Sequence, residues 1–180
     1  MNRIHWQIDD EAFIRSLTPD DAEEAFALIE ANRTRLERWM NWAEGTRSPA
    51  EIRGFIERSR ASEHDLEGNG IWVSDRLAGS IGLSVDPLNN AGEIGYWIGA
   101  EYEGRGLVTS ACRLFSGHAF DVLRLHRISL TAGVDNRRSR AVAERLGFRE
   151  EGIIRDGDRV AGGRYVDLVT YGMLEYEWRT

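Results

Sequence analysis

Near the middle of the chain, the strand-forming run Glu93-Ile94-Gly95-Tyr96-Trp97-Ile98 is followed by Glu101-Tyr102-Glu103-Gly104-Arg105-Gly106-Leu107-Val108-Thr109. A helix-forming stretch then runs from about Gly106 to Val122, with Val108, Ala111, Cys112, Phe115, Ala119 and Phe120 at helical spacing. A second strand-forming run, Ile128 to Val134, comes directly after it. A helix that bridges two strands in this way makes them parallel or nearly so. The unit therefore commits the chain to a mixed α/β fold. It also builds an anion site, because the first N–H groups of a helix lack partners and carry its positive dipole end. Gly104 and Gly106 have no Cβ atoms to hold a phosphate away from those groups. No Gly-Lys-Ser/Thr follows, and the three-glycine dinucleotide pattern is absent, so this is neither of the better-known phosphate loops.

The rest of the chain reads as one domain spanning 1–180, with no linker, repeat or low-complexity tract. Glu11 to Leu17 predicts a first strand. Thr18-Pro19-Asp20-Asp21 and Ser48-Pro49-Ala50-Glu51 each open a helix, with a hydroxyl cap, proline in the first position and an acid completing a capping box. Gly70–Ser74 and Leu77–Val85 predict a hairpin about Asp75-Arg76. Gly152–Arg155 and Tyr165–Leu174 predict closing strands joined by a glycine-rich loop over Asp156–Gly163. A second strand-to-helix unit starts at Asn136-Arg137-Arg138-Ser139 and ends at Gly147-Phe148. Asp135 or Asn136 caps the helix and Gly147 closes it in the left-handed conformation.

Taken together, the Gly104-x-Gly106 loop and the helix that opens on Asn136 and closes on Gly147-Phe148 resemble the GNAT superfamily of acetyl-CoA-dependent N-acetyltransferases. Glu93–Ile98, the Asn136-x-x-Ser139 spacing, Val166–Tyr171 and Arg35-Leu36-x-x-Trp39 are similar to its RimJ/RimL-type ribosomal-protein branch. The resemblance covers about Phe13 to Trp178. It implies a central, largely antiparallel sheet of about seven strands, flanked by helices, with a parallel pair that splays to admit the pantetheine arm. It also implies an acetyl-CoA co-substrate, a protein N-terminus as the amine acceptor, and a homodimer formed through the late strand Tyr165–Leu174.

Acetyl transfer needs the nucleotide held, the thioester carbonyl polarised, the amine neutral and the leaving thiolate protonated. On the resemblance, the nucleotide falls to Glu103, Gly104, Arg105, Gly106 and Leu107 through their backbone N–H groups, with the Thr109 hydroxyl, Asn136 and Arg138 beside them. A backbone N–H near Ile98 polarises the carbonyl. Ser139 is the candidate acid, since the tyrosine that several GNAT branches carry seven residues after the motif asparagine is Ala143 here. Tyr96 and Tyr171 are alternative acids. Glu93 and Asp158 are the candidate bases, with Asp156 near the latter. Trp39 and Trp42 wall the acceptor groove. Where the family pattern has Gln or Arg before the loop, this chain has Glu101, whose charge must point away from a pyrophosphate.

Amine acidity bears on the acceptor. Near pH 7.4 roughly a third of α-amines are neutral, against about one lysine in a thousand. A chain without an obvious strong base therefore suits an N-terminal α-amine. The alternatives are a polyamine, amino acid or aminoglycoside acceptor, or a non-catalytic acetyl-CoA sensor. The net charge of −7 argues against general nucleic-acid binding and is compatible with a cationic acceptor. One cysteine and four scattered histidines predict no disulfide and no metal site. No apolar run approaches the ~20 residues that cross a bilayer. A cytoplasmic location is the expectation.

Overall fold

The computed structural model describes residues 4–62 and 65–178. Among them eight strands form one sheet: β1 (His5–Gln7), β2 (Ala12–Ser16), β3 (Asn69–Val73), β4 (Arg76–Asp86), β5 (Ala91–Ile98), β6 (Arg127–Gly133), β7 (Arg149–Val160) and β8 (Arg164–Leu174). Their order is β1-β2-β3-β4-β5-β6-β8-β7. All neighbours are antiparallel except β5 and β6. The helices are α1 (Ala22–Leu36), α2 (Pro49–Ala61), α3 (Leu107–Gly117), α4 (Arg137–Arg145) and the short α5 (Glu175–Trp178).

Strand alternation sends side chains to two cores. Trp72 and Leu77 pack with Leu28, Ile29, Ile52 and Ile56 from α1 and α2. Ile71, Ile81, Leu83, Ile94 and Ile128 pack on the other face with Phe115 and Phe120, and with Val142 of α4. Both predicted capping boxes form, at Thr18/Asp21 and Ser48/Glu51. Asp21 also takes a two-pronged bond from Arg15 at 2.8 Å. Burial alone would raise the Asp21 pKa, but the bonds from Arg15 and Thr18 outweigh it and hold the carboxyl below its ordinary range.

The feature that positions the site lies between β5 and β6. Only Ala91–Glu93 of β5 pair with Arg127–Ser129 of β6. β5 stays bonded to β4 as far as Ile98, and β6 stays bonded to β8 as far as Gly133. Each strand is therefore held straight by its outer neighbour while the two diverge, which leaves a wedge between their ends.

Several predicted details change. The eighth strand is β1, too short to show periodicity. It is held against β2 by a turn in which the Asp9 carboxylate accepts from the Glu11 and Ala12 N–H groups. The hairpin turns at Ser74-Asp75 rather than Asp75-Arg76, with φ of 46° and 63°, the two left-handed residues that a tight hairpin turn needs. The helix after the glycine loop loses α geometry at His118, and its last turn widens to a π turn over His118–Val122. The expected loop over Asp156–Gly163 is mostly strand. β7 runs on to Val160 with an irregularity between Ile154 and Asp158, and only Ala161–Gly163 turns. Gly157 signals close packing there, because a Cβ would lie 3.0 Å from Leu168 Cγ. The late strand Tyr165–Leu174 belongs to β8, which is bonded on both sides by β6 and β7. Residues 168–172 are thus paired on both sides, while Arg164, Tyr165 and Val166 pair with β7 alone; the outer strand is β7.

Candidate active site

The wedge between β5 and β6 opens into a cleft of about 1090 Å³, at the upper end of the range for small-molecule sites. One side is the loop before α3. Gly104 and Gly106 take φ of 77° and 76°, and nothing lies within 4 Å of where either Cβ would stand. A side chain at either position would project into open space, which is the form of a cradle for a close-fitting anion. Gly106 is the N-cap of α3 and offers it no side-chain hydrogen bond. The first N–H groups of α3 therefore depend on an outside acceptor. The Glu103 N–H donates to the Ala100 carbonyl at 3.3 Å, so the backbone cradle begins at Gly104.

Opposite this loop is the start of α4. Asn136 is its N-cap, and its side chain accepts from the Ser139 N–H at 3.3 Å. That leaves the Ser139 hydroxyl facing Tyr96 of β5, with the two side-chain oxygens 2.8 Å apart and the Tyr96 hydroxyl 3.2 Å from the Ser139 carbonyl. Burial, together with the nearby Cys112 thiol, pushes the Tyr96 phenol pKa well up, while the Ser139 bond works weakly the other way. Tyr96 is thus a hydroxyl that stays protonated. Tyr171, the other candidate acid, lies away from this pair, bonded to Arg140 Nε at 2.9 Å and to Glu144 at 3.2 Å. Burial pushes the Cys112 thiol far up as well, so it is held as a neutral thiol in the core.

Of the residues singled out in sequence, Trp39, Ile98, Glu103, Gly104, Gly106, Leu107, Thr109, Asn136, Arg138 and Ser139 all line this one cleft. Four others do not. Arg105 points outward to Glu11, at 3.3 Å. Trp42 packs on Trp97, which does line the cleft, with ring centroids 6.1 Å apart. Asp158 accepts from Asn41, at 3.0 Å, and so stands at the rim near Trp39 and Met40. Glu93 is exposed and accepts from the Thr131 hydroxyl at 2.7 Å, where β5 and β6 begin to part. It shares a face of β5 with Gly95 and Trp97, and the space over Gly95 is open. Glu101 is not part of the cleft lining; its carboxylate lies beside Gly99 and acts on the Arg35 charge. Residues that sequence reasoning left unassigned here include Arg35, Arg38, Trp97 and Tyr102. For Arg35 the only signal was its place in Arg35-Leu36-x-x-Trp39.

Charge in the cleft opposes that of the chain. Arg35, Arg38, Arg137, Arg138 and Arg145 line it against the acids Glu103 and Asp135. Arg140, by contrast, turns to the far side of α4 and pairs with Glu150 at 3.2 Å. An excess of arginine around a glycine cradle is what a phosphate-bearing ligand requires.

Residues 12–149 match the family model described as "Acetyltransferase (GNAT) domain". The chain belongs to the GNAT acetyltransferase family. It is an enzyme of N-acetyl transfer, and its eight-stranded sheet with one splayed parallel pair is the GNAT fold. It is 42% identical over 176 residues to "Putative ribosomal N-acetyltransferase YdaF" of Bacillus subtilis, with 96% of each chain covered. It is 26% identical to the ribosomal-protein-serine acetyltransferase of Escherichia coli, over 93% of this chain and 95% of that one. Among solved structures, it superposes with a TM-score of 0.84 and 27% identity on the microcin C7 self-immunity acetyltransferase MccE in complex with acetyl-CoA and AMP, covering 93% of this chain and 94% of that one. Relatives of this GNAT chain thus include ribosomal-protein acetyltransferases, and a structural neighbour binds acetyl-CoA. Among the described residues, no helix is long and apolar enough to cross a membrane.

The contact that Trp39 makes in the cleft lining tests its expected place on the acceptor side. The Trp39 ring packs on the backbone of Gly133 at the end of β6, and a Cβ on Gly133 would stand 2.9 Å from two of its ring carbons. Gly133→Ala must therefore shift the tryptophan. It is expected to raise the acceptor KM several-fold while the dissociation constant for CoA stays within twofold of wild type. Steady-state kinetics and calorimetry read the two quantities separately. Equal losses for both substrates would mean that Trp39 does not divide the acceptor side from the nucleotide side.

Proposed function

We propose that this enzyme binds acetyl-CoA in the β5–β6 cleft and passes the acetyl group directly to a primary amine, most readily the α-amine of a protein N-terminus. The observation that carries this reading is the Tyr96–Ser139 hydroxyl pair in the same cleft as the Gly104–Leu107 cradle. The phosphates lie on the cradle N–H groups with Thr109, Asn136 and Arg138 beside them. The thioester carbonyl lies toward the backbone near Ile98. Ser139, backed by Tyr96, supports the departing sulfur. The buried, fully protonated Cys112 favours direct transfer over an acetyl-cysteine route.

The acceptor enters on the side of Trp39, with Trp42 and Asp158 at its rim. Glu93 reaches the amine across the open space above Gly95, through water. Without a buried base at the reaction centre, an amine that is substantially neutral near pH 7 is favoured, which is the case for an α-amine and not for lysine. The ribosomal-protein acetyltransferases among the relatives support a protein acceptor. A cytoplasmic enzyme would meet such N-termini. The outer strand β7, with Ile153 and Ile154 exposed, is the edge through which a homodimer would form. Sedimentation velocity tests that last point: a monomer at tens of micromolar would remove the dimer from the proposal.

The deciding experiment measures CoA release, with the product confirmed by mass, against four amine classes. These are short peptides with a free N-terminus, the same peptides N-blocked but carrying lysine, polyamines, and aminoglycosides. Turnover that disappears on N-blocking is the expected result. Turnover confined to the small amines would move the acceptor to that class. Acetyl-CoA binding without turnover on any class would leave a sensor.

A further inference from the structure

The Glu103 carboxylate lies at the junction of two arginines that come from opposite walls of the cleft. Arg35 of α1 donates from Nη1 to Oε1 at 2.5 Å, and Arg138 of α4 pairs through Nη1 with Oε2. The Glu103 side chain is 20% exposed, and it directly precedes Gly104, the first residue of the cradle. Arg35 also donates to the Ile98 carbonyl at the end of β5 and to Asn32 Oδ1 at 3.2 Å. Its Nε is buried and has no hydrogen-bond partner among the described residues. Burial, with the Arg138 charge adding to it and Glu101 opposing, holds the Arg35 pKa below its ordinary value. The Arg35 guanidinium is thus a partly desolvated cation beside the cradle with a donor unused.

Two guanidinium groups converging on one pair of oxygens is also the arrangement that holds a phosphate, because a carboxylate and a phosphate offer the same fork of acceptors. We propose that Glu103 is an internal stand-in for the CoA pyrophosphate. In the free enzyme its carboxylate holds Arg35 and Arg138 in position; on binding, the pyrophosphate takes over both guanidinium groups and Glu103 turns outward. Arg35 is then a co-substrate ligand supplied by α1. Glu103 is the competitor that keeps product CoA from being held too tightly.

The proposal rests on acetyl-CoA being the ligand of this cleft, and it has a sign that a merely structural bridge lacks. The displaced carboxylate remains next to the diphosphate and repels it, so removing its charge strengthens binding. Glu103→Gln keeps the size and one acceptor oxygen. It is expected to tighten CoA about tenfold by titration calorimetry, a charge-assisted pair being worth on the order of that factor. Binding of pantetheine, which has no phosphate, is expected not to change. Arg35→Lys, which keeps the charge and loses the fork, and Arg138→Gln are each expected to weaken CoA several-fold, with a thermal midpoint near that of wild type.

Weaker or unchanged CoA binding by Glu103→Gln, with wild type binding CoA normally, overturns the stand-in and leaves the bridge as a clamp between α1 and α4. Tightening of pantetheine by the same factor as CoA also overturns it, because the gain would not come from phosphate. Failure of the wild-type protein to bind CoA at all is a different result, which removes the acetyl-CoA reading first and this proposal with it.

Discussion

Ser139→Ala and Tyr96→Phe are each expected to lower kcat by about a hundredfold, with acetyl-CoA affinity nearly unchanged. The two hydroxyls are 2.8 Å apart in the cleft, and Tyr96 stays protonated because burial raises its pKa above the ordinary value near 10. A thiol near 8.5 is the stronger acid by at least about 1.5 pKa units, so outright transfer of the tyrosine proton to sulfur is uphill by roughly 2 kcal/mol. Tyr96 is therefore not the final proton source. In the proposed reaction, the proton that ends on sulfur comes from the amine by way of Ser139, with Tyr96 holding the serine oxygen in line. A relay fails as a unit, so the double variant is expected to be little worse than either single one.

Acylation kinetics with separately measured CoA binding decide this. Single variants within twofold of wild type, or losses that multiply in the double variant, would exclude the relay. The pH profile follows the same logic. The rate constant kcat/KM is expected to rise with pH through the acceptor amine pKa near 8, as the amine loses its proton. No falling limb is expected below about pH 10, because Tyr96 is still protonated there. In Tyr96→Phe the rising limb remains.

Gly79→Ala is expected to destabilise the fold by about 3 kcal/mol or more, lowering the thermal midpoint by roughly 10 °C. Gly79 faces Ile98 at the end of the β4–β5 ladder. A Cβ there would lie 2.2 Å from the Trp97 carbonyl oxygen and 2.8 Å from the Ile98 Cα. Both are backbone atoms and have no rotamer by which to move aside. The substitution must push β5 off β4 at the point where β5 forms the wall of the cleft, so transferase activity is expected to fall with stability. Gly95→Ala, on the neighbouring strand β5, is the control. Nothing lies within 4 Å of its Cβ position, and its stability is expected to stay within about 0.5 kcal/mol of wild type. Urea unfolding followed by circular dichroism compares them. Equal stabilities for the two variants would contradict the close β4–β5 approach.

Helix starts were legible wherever the signal was local. Thr18-Pro19-Asp21 and Ser48-Pro49-Glu51 are each complete within four residues, and both boxes form. Gly147, read as a helix stop, takes φ of 84°. The strand β1 was not legible, since three residues carry no period and only pairing with β2 makes them a strand. The stretch from Asp156 to Val160 misled for the opposite reason. Its glycine reads as loop, yet it admits the Leu168 side chain while the strand continues past an irregularity.

What the sequence by itself determined is the class of the protein and the cradle of its site: a strand, a two-glycine loop and a helix start, then Asn136 and Ser139 three residues apart. These depend on backbone conformation and near-neighbour spacing, which a linear chain carries directly. Only the tertiary structure decided which side chains meet across the cleft. Tyr96 finds Ser139 from 43 positions away, and Arg35 finds Glu103 from 68. The first meeting exists because β5 and β6 stay bonded to their outer neighbours and part from each other. No periodicity encodes that divergence, since it is a balance between strands that are distant in sequence.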